Sequence, residues 1–228
     1  SWQMQCAAGV ESSLIHLVPL AIAGDGSSLI GGELGRQSGN NKKTLFQDDG
    51  HGCAFTQLAE FNERTVTNLT PHPTDPDVIF ASISDQKQPN GVLRRDAMGV
   101  WTDVGARGEP YITRLLVAKT ATGLRMYETV YFLPPDALDN DGGGLPWTGW
   151  LRISDDDGKT WQEQPFGSPE QPFELLEVDP SNADRLVALI KREGADDTLF
   201  VSTDQGTSFT EYTSLPETLA RLEALFAA

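Results

Sequence analysis

Ser154-Asp155-Asp156-Asp157-Gly158-Lys159-Thr160-Trp161 fits the pattern S-x-D-x-G-x-T-W, and Ser202-Thr203-Asp204-Gln205-Gly206-Thr207-Ser208-Phe209 repeats it with conservative changes at the last two positions. Ser and Asp fold their side chains back onto turn amides, and Gly accepts a positive φ without a Cβ clash. Each copy therefore reads as a self-capped β-hairpin. The aromatic that closes it opens the outgoing strand, where a flat ring can slot between neighbouring sheets and bury a large apolar area. Two degenerate copies stand upstream. Asp48-Asp49-Gly50-His51-Gly52-Cys53-Ala54-Phe55 keeps Gly52 and Phe55, and Arg94-Arg95-Asp96-Ala97-Met98-Gly99-Val100-Trp101 keeps Asp96 and Trp101 but displaces its glycine.

Spacing ties the four together. Phe55 to Trp101 is 46 residues, Trp101 to Trp161 is 60 and Trp161 to Phe209 is 48, against propeller-blade periods of roughly 40–50. A second signature runs in phase: Leu69-Thr70-Pro71-His72-Pro73-Thr74-Asp75-Pro76-Asp77-Val78-Ile79-Phe80-Ala81 aligns without gaps to Leu176-Glu177-Val178-Asp179-Pro180-Ser181-Asn182-Ala183-Asp184-Arg185-Leu186-Val187-Ala188. Pro-Thr-Asp and Pro-Ser-Asn are turns between two apolar strands. Each unit predicts an inner strand, a turn, two further strands, the hairpin and an outer strand, which is a four-stranded antiparallel blade. Inner strands are expected near 14–22, 66–69, 112–118 and 174–178, and outer strands from Phe55, Trp101, Trp161 and Phe209.

The motif resembles the Asp-box (BNR) repeat of sialidases, xyloglucan-cleaving propellers, the sortilin propeller and many exported bacterial proteins. That resemblance spans nearly the whole chain and implies an all-β propeller over 1–228. Its repeats run at about 1–9 (the end of a preceding blade), 10–61, 62–106, 107–168 and 169–214. Ser1-Trp2-Gln3-Met4-Gln5 matches the end of a motif and its outer strand, which predicts four blades of a larger ring. The other reading is a complete array closed by a partner chain, since uncovered sheet edges need cover. Leu215, Leu219, Leu222, Leu225 and Phe226 lie at helical spacing and predict a C-terminal amphipathic helix over 215–228.

Composition narrows the partners. Net charge is −16, from 33 acidic against 17 basic residues, and no basic cluster exceeds Arg94-Arg95 or Lys42-Lys43. A nucleic-acid ligand needs a concentrated positive surface and is not expected. The most apolar run, 14–23, contains His16 and Pro19 and is about half the length of a spanning helix, so no membrane span is predicted. Cys6 and Cys53 flank successive hairpins and read either as a disulfide of an exported protein or as two unrelated thiols.

Chemistry is sparse. A sialidase-like site, as the resemblance implies, needs three arginines, a Tyr/Glu nucleophile pair, an acid Asp and an Arg-Ile-Pro signature, and no Arg-Ile-Pro occurs. Arg114, Arg125, Tyr127, Glu128 and Tyr131 supply residue types, but strand alternation points Tyr127 and Glu128 to opposite faces. A xyloglucanase-like site needs two carboxylates across a cleft, and no pair singles itself out. No catalytic residue is assigned. Asp139-Asn140-Asp141-Gly142 fails the calcium-loop pattern, with Ala137 at the first ligand position and Thr148 at the last. The three histidines do not cluster, so neither metal nor cofactor is implied. Asn68-Leu69-Thr70 is a formal glycosylation sequon within a predicted strand. The third repeat is the longest, and its excess lies between Tyr131 and Trp150. Trp147 and Trp150 in that insertion either stack on a sugar or peptide or anchor the loop.

The leading expectation is an exported, non-catalytic binding or scaffold module that recognises a glycan or protein through inter-strand loops. The alternative is part of a glycoside hydrolase, sialidase-like or xyloglucanase-like, with its catalytic residues mostly in further blades. A protein-assembly or sorting propeller is a third reading.

Overall fold

The computed structural model describes residues 20–22, 28–34, 42–48, 55–58, 66–84, 89–108, 111–132, 148–165, 173–179, 181–190 and 198–212. Among them every regular element is a strand. Four antiparallel sheets of four strands each follow chain order. The first holds β1 (Leu20–Ile22), β2 (Ser28–Leu34), β3 (Lys42–Asp48) and β4 (Phe55–Gln57). The second holds β5 (Val66–Pro71), β6 (Ile79–Ile83), β7 (Asn90–Arg95) and β8 (Trp101–Gly108). The third holds β9 (Tyr111–Lys119), β10 (Leu124–Phe132), β11 (Thr148–Ser154) and β12 (Gln162–Pro165). The fourth holds β13 (Phe173–Asp179), β14 (Asn182–Ile190), β15 (Thr198–Ser202) and β16 (Thr210–Glu211). The expected outer strands begin within a residue of their predicted starts, and β5, β9 and β13 include the expected inner strands. Of 14–22, only 20–22 is described, and the predicted helix over 215–228, Cys6, Gly52, Cys53 and Trp147 lie outside the described residues.

The chain divides into two compact units, Ser1–Leu115 and Leu116–Ala228. Each is built around one apolar layer between two sheets. In the first unit, Ala21, Leu29 and Leu45 meet Val66, Leu69, Ile79, Ala81, Ile83 and Leu93, with Leu58 and Trp101 at the margin. In the second, Leu116, Ala118, Tyr127, Leu151 and Ile153 meet Phe173, Leu175, Val178, Leu186 and Ala188, with Phe200 and Phe209 at the margin. Each fully buried Leu or Ile contributes roughly 1.5–3 kcal/mol of transfer free energy, so these layers are the main source of cohesion between sheets. All five residues of β6 are buried, which matches a run that is apolar on both faces except for Ser82 rather than an alternating one.

Polar side chains fasten the second sheet to the first half of β9. Ser84 Oγ accepts from the Ile112 amide at 2.8 Å and lies 2.9 Å from the Ile112 carbonyl, to which it donates. Asn68 Oδ1 accepts from the Leu115 amide at 3.3 Å, and Thr70 Oγ1 sits 2.6 Å from the Leu115 carbonyl. Asn68 is buried, so the sequon residue serves packing and offers no exposed amide for a glycan.

The two gap-free segments share their register beside the turn, up to a shift in β13 between Leu175 and Glu177. Pro71 pairs with Ile79 and Thr70 with Phe80, as Val178 pairs with Leu186 and Glu177 with Val187. In the fourth sheet the turn is capped by Asp179, whose Oδ1 accepts from the Ser181 amide at 2.9 Å and hydroxyl at 2.6 Å. Burial works against the charged carboxylate, but the Ser181 bonds prevail and hold Asp179 below its ordinary value. His72 takes that place in the second sheet. Its Nδ1 accepts from the amides of Thr74 at 3.2 Å and Asp75 at 3.1 Å, which places the neutral ring's proton on Nε2. The ring also stacks on Phe80, with centroids 6.1 Å apart and planes at 19°.

Candidate functional site

The repeated hairpins are organised by their aspartates. Asp156 Oδ1 accepts from the Thr160 amide at 2.8 Å and Oδ2 from the Thr160 hydroxyl at 2.7 Å. Ser154 Oγ donates to Asp156 Oδ1 at 2.8 Å and accepts from the Gly158 amide at 2.9 Å. In the fourth sheet the Ser208 amide and hydroxyl reach Asp204 at 2.9 and 2.6 Å. Ser202 Oγ donates to Asp204 at 2.8 Å and accepts from the Gly206 amide, also at 2.8 Å. Hydrogen bonds from the Thr160 amide, the Thr160 hydroxyl and Ser154 pull the Asp156 carboxyl down to about 2. Those from the Ser208 hydroxyl and amide lower Asp204 in the same way. Successive left-handed residues make the turn, Asp157 and Gly158 (φ 59° and 80°) and Gln205 and Gly206 (64° and 82°).

The second hairpin is one residue shorter. Arg94 pairs with Thr102, a separation of eight (102 − 94), whereas Ile153 with Gln162, Val201 with Thr210 and Gln47 with Thr56 are nine apart. The shortening explains the displaced glycine: the left-handed residue is Gly99 (φ 82°). The carboxylate still caps, as Asp96 Oδ1 accepts from the Met98 and Val100 amides at 2.9 Å each. It also sets Arg95 where Ser154 and Ser202 stand, so no hydroxyl meets the glycine amide. Gly99 N–H donates instead to the Asp96 carbonyl at 2.9 Å. At the matching place in the first sheet, Asp48 Oδ1 accepts from the Ser28 amide at 2.7 Å.

The third sheet carries the densest polar chemistry, divided between its faces. On the face toward the fourth sheet, Tyr127 OH donates to the Ala183 carbonyl at 2.6 Å and Tyr131 OH to the Phe173 carbonyl at 2.9 Å. Arg125 Nε meets Asp155 at 2.5 Å, and its Nη1 pairs with Asp184. Burial pushes the Tyr127 phenol up to about 12, against the pull of Arg125. Burial would lower Arg125, but its bonds to Asp155 and Tyr127 outweigh that and raise it above its ordinary value.

The opposite face carries a row of charges in direct register, Glu128 beside Arg152 and Arg152 beside Glu163. Arg152 Nη1 lies 3.3 Å from Glu128 Oε2. Its Nε lies 3.5 Å from Glu163 Oε1, an ion pair in distance that lacks hydrogen-bond geometry. The Trp161 ring lies 5.0 Å beneath the Arg152 Cζ, a cation–π contact. Glu128 is 1% exposed, and burial pushes its carboxyl up to about 7, with Arg152 opposing.

These facts decide the chemistry of Tyr127 and Glu128. They occupy opposite faces, the phenol is committed to a core carbonyl, and Arg152 lies between Glu128 and Glu163. A sealed carboxyl cannot protonate a glycosidic oxygen, which requires hydrogen-bond reach of the substrate. Of the other sequence candidates, Trp150 is half-buried and pairs with Val130 and Pro165. Trp101 is half-buried against the first unit's core. Phe209 meets Phe173 edge-on at 5.7 Å, and Phe55 is the first residue of β4. Sequence reasoning missed the Glu128–Arg152–Glu163 row, because only strand register brings its members together.

No protein-family model and no curated protein sequence matches the chain. Solved structures do. The chain is similar to the GH74 xyloglucanase of Xanthomonas campestris, with a TM-score of 0.56, 18% identity, and 86% of this chain matched to 29% of that one. It is similar also to a GH74 enzyme of Niastella koreensis (TM-score 0.52, 17% identity, 84% and 28% covered). A family 117 glycoside hydrolase of the marine bacterium Zobellia galactanivorans matches at 0.51, with 10% identity and 88% and 70% covered. The likeness lies in the fold: the four sheets are blades of a β-propeller. The chain spans under a third of the length of the GH74 enzymes it matches.

Proposed function

We propose that the chain is a polysaccharide-handling β-propeller segment of the glycoside hydrolase kind, exported from the cell, in which the Asp-box hairpins and strands are scaffold and the connecting segments contact the glycan. The observation that carries this reading is that glycoside hydrolases from three bacteria match 84–88% of the chain in fold. Trp150, at the start of β11, is proposed as a stacking contact together with Trp147. The acid and base of any hydrolysis would come from carboxylates other than Glu128, which is sealed by burial and Arg152.

A non-catalytic binding module is the second reading. In its favour, Glu128 is buried against Arg152, and the exposed Glu163 across the strand lies within ion-pair distance of the same guanidinium. Affinity electrophoresis and reducing-sugar release on one polysaccharide panel, xyloglucan included, separate the two. Release of sugar supports the hydrolase reading, and retardation without release supports the module. Neither effect on any polysaccharide would remove glycans from the account. Retardation that weakens at least tenfold in a folded Trp150→Ala protein places the contact at β11.

A further inference from the structure

We infer that Arg95 forms a binding site for a single carboxylate beneath the shortened hairpin of the second sheet. Arg95 is 5% exposed, yet its Nε has no hydrogen-bond partner, and no carboxylate pairs with its guanidinium among the described residues. The contrast with its neighbours in kind is direct. Arg125 faces Asp155 and Asp184, Arg152 faces Glu128 and Glu163, and Arg185 faces Asp179. A buried cation without a counter-charge is costly, and one compensated by a hydrogen-bonded anion is not.

Position puts the group at the margin of the core, beside an exposed turn. Arg95 follows Leu93 by two along β7, so it points to the same face as that core residue, and it pairs directly with Trp101. It is the last strand residue before the turn 96–100. A Cβ built on Gly99 would lie 3.4 Å from Arg95 Nη2 and 3.8 Å from its Cζ, so the guanidinium lies directly under the backbone of a residue without a side chain. Met98 and Val100 beside it are 85% and 50% exposed. The one-residue deletion is what puts an arginine here, where the third and fourth hairpins have serine and the first sheet has Asp48.

The ligand chemistry follows from the fork and the field. A planar guanidinium takes carboxylate or phosphate in bidentate fashion. In a chain of net charge −16, a monoanion meets less repulsion than a phosphate dianion, so the site suits a carboxylate, whether of a small acid or of an acidic sugar. This holds independently of the glycan reading above.

Acetate titrated at constant ionic strength into protein labelled with 15N-arginine should shift the Arg95 Nε–H resonance, identified by its loss in Arg95→Lys. D-Galacturonate should shift it as well, and D-galactose, which has no carboxylate, should not. A response to acetate alone assigns the site to small acids, and a response to both extends it to acidic sugars; either upholds the inference. Without acetate, Arg95→Met should unfold at or above the wild-type midpoint, and acetate should raise the midpoint only of the wild type. An Arg95 resonance indifferent to both acids, or an acetate effect that survives in Arg95→Met, overturns the site. If Arg95→Met does not fold, the wild-type resonance alone decides.

Discussion

Gly206→Ala should be among the most damaging single-methyl changes in the described strands and turns, and a matched control can show why. Gly206 and Gly99 both have φ of 82°, so alanine at either pays the same left-handed penalty, about 1–2 kcal/mol. Their surroundings differ. A Cβ at Gly206 would lie 2.4 Å from Leu151 Cδ2 and 3.3 Å from Leu186 Cδ1, whereas at Gly99 its nearest neighbour is 3.4 Å away, at the flexible end of Arg95. Leu151 and Leu186 are fully buried in the layer between the third and fourth sheets, so the clash adds an overpacking cost of about 1–3 kcal/mol. The expected totals are about 2–5 kcal/mol for Gly206→Ala and about 1–2 for Gly99→Ala. Urea unfolding followed by circular dichroism reads both. A double-mutant cycle with Leu151→Ala isolates the clash, because removing Cδ2 should reduce the Gly206→Ala cost to its backbone part. Equal losses at the two glycines, or additive effects in the cycle, would refute the idea that the fourth hairpin is wedged against the third sheet.

Glu128, raised from 4.5 to about 7, binds more protons folded than unfolded. It should therefore stabilise the fold below about pH 4.5 and lose that contribution as pH rises to 7, a slope of up to about 1.4 kcal/mol per unit. Glu128→Gln should flatten the stability profile in this window, and an unchanged slope would exclude Glu128 as its source. Asp156, lowered from 3.8 to about 2, acts in reverse: its contribution is present above 3.8 and disappears as pH falls to 2, so Asp156→Asn should reduce acid sensitivity there. His72→Asp should retain the turn, whereas His72→Ala should cost about 1–2 kcal/mol in urea unfolding for the lost acceptor; equal costs would mean that Nδ1 is not the cap. Ser84→Ala leaves the Ile112 amide and carbonyl without their shared partner and should cost about 1–3 kcal/mol, and a neutral change would show that β9 does not depend on it.

The repeat was legible in the sequence because its bonds are local. Asp156 reaches Thr160 and Ser154 reaches Gly158, each four residues on, so residue type and spacing along the chain suffice to predict the turn. The same locality made the His72 and Asp179 turns alignable, though nothing in the one-dimensional pattern shows that an imidazole nitrogen can stand in for a carboxylate until both accept from turn amides. The Glu128–Arg152–Glu163 row is of another kind. Its members are separated by 24 and 11 residues (152 − 128 and 163 − 152), and they meet only once strand register is set. A slip of one residue would send Arg152 to the apolar side. The deletion in the second hairpin was visible as a displaced glycine, but its consequence was not. Shortening the loop by one residue exchanges the position of a self-bonding serine for that of a buried arginine, and only the pairing of Arg95 with Trp101 reveals the exchange. Local capping thus makes each blade recognisable, whereas cross-strand register decides which charges are sealed away and which are left in want of a partner.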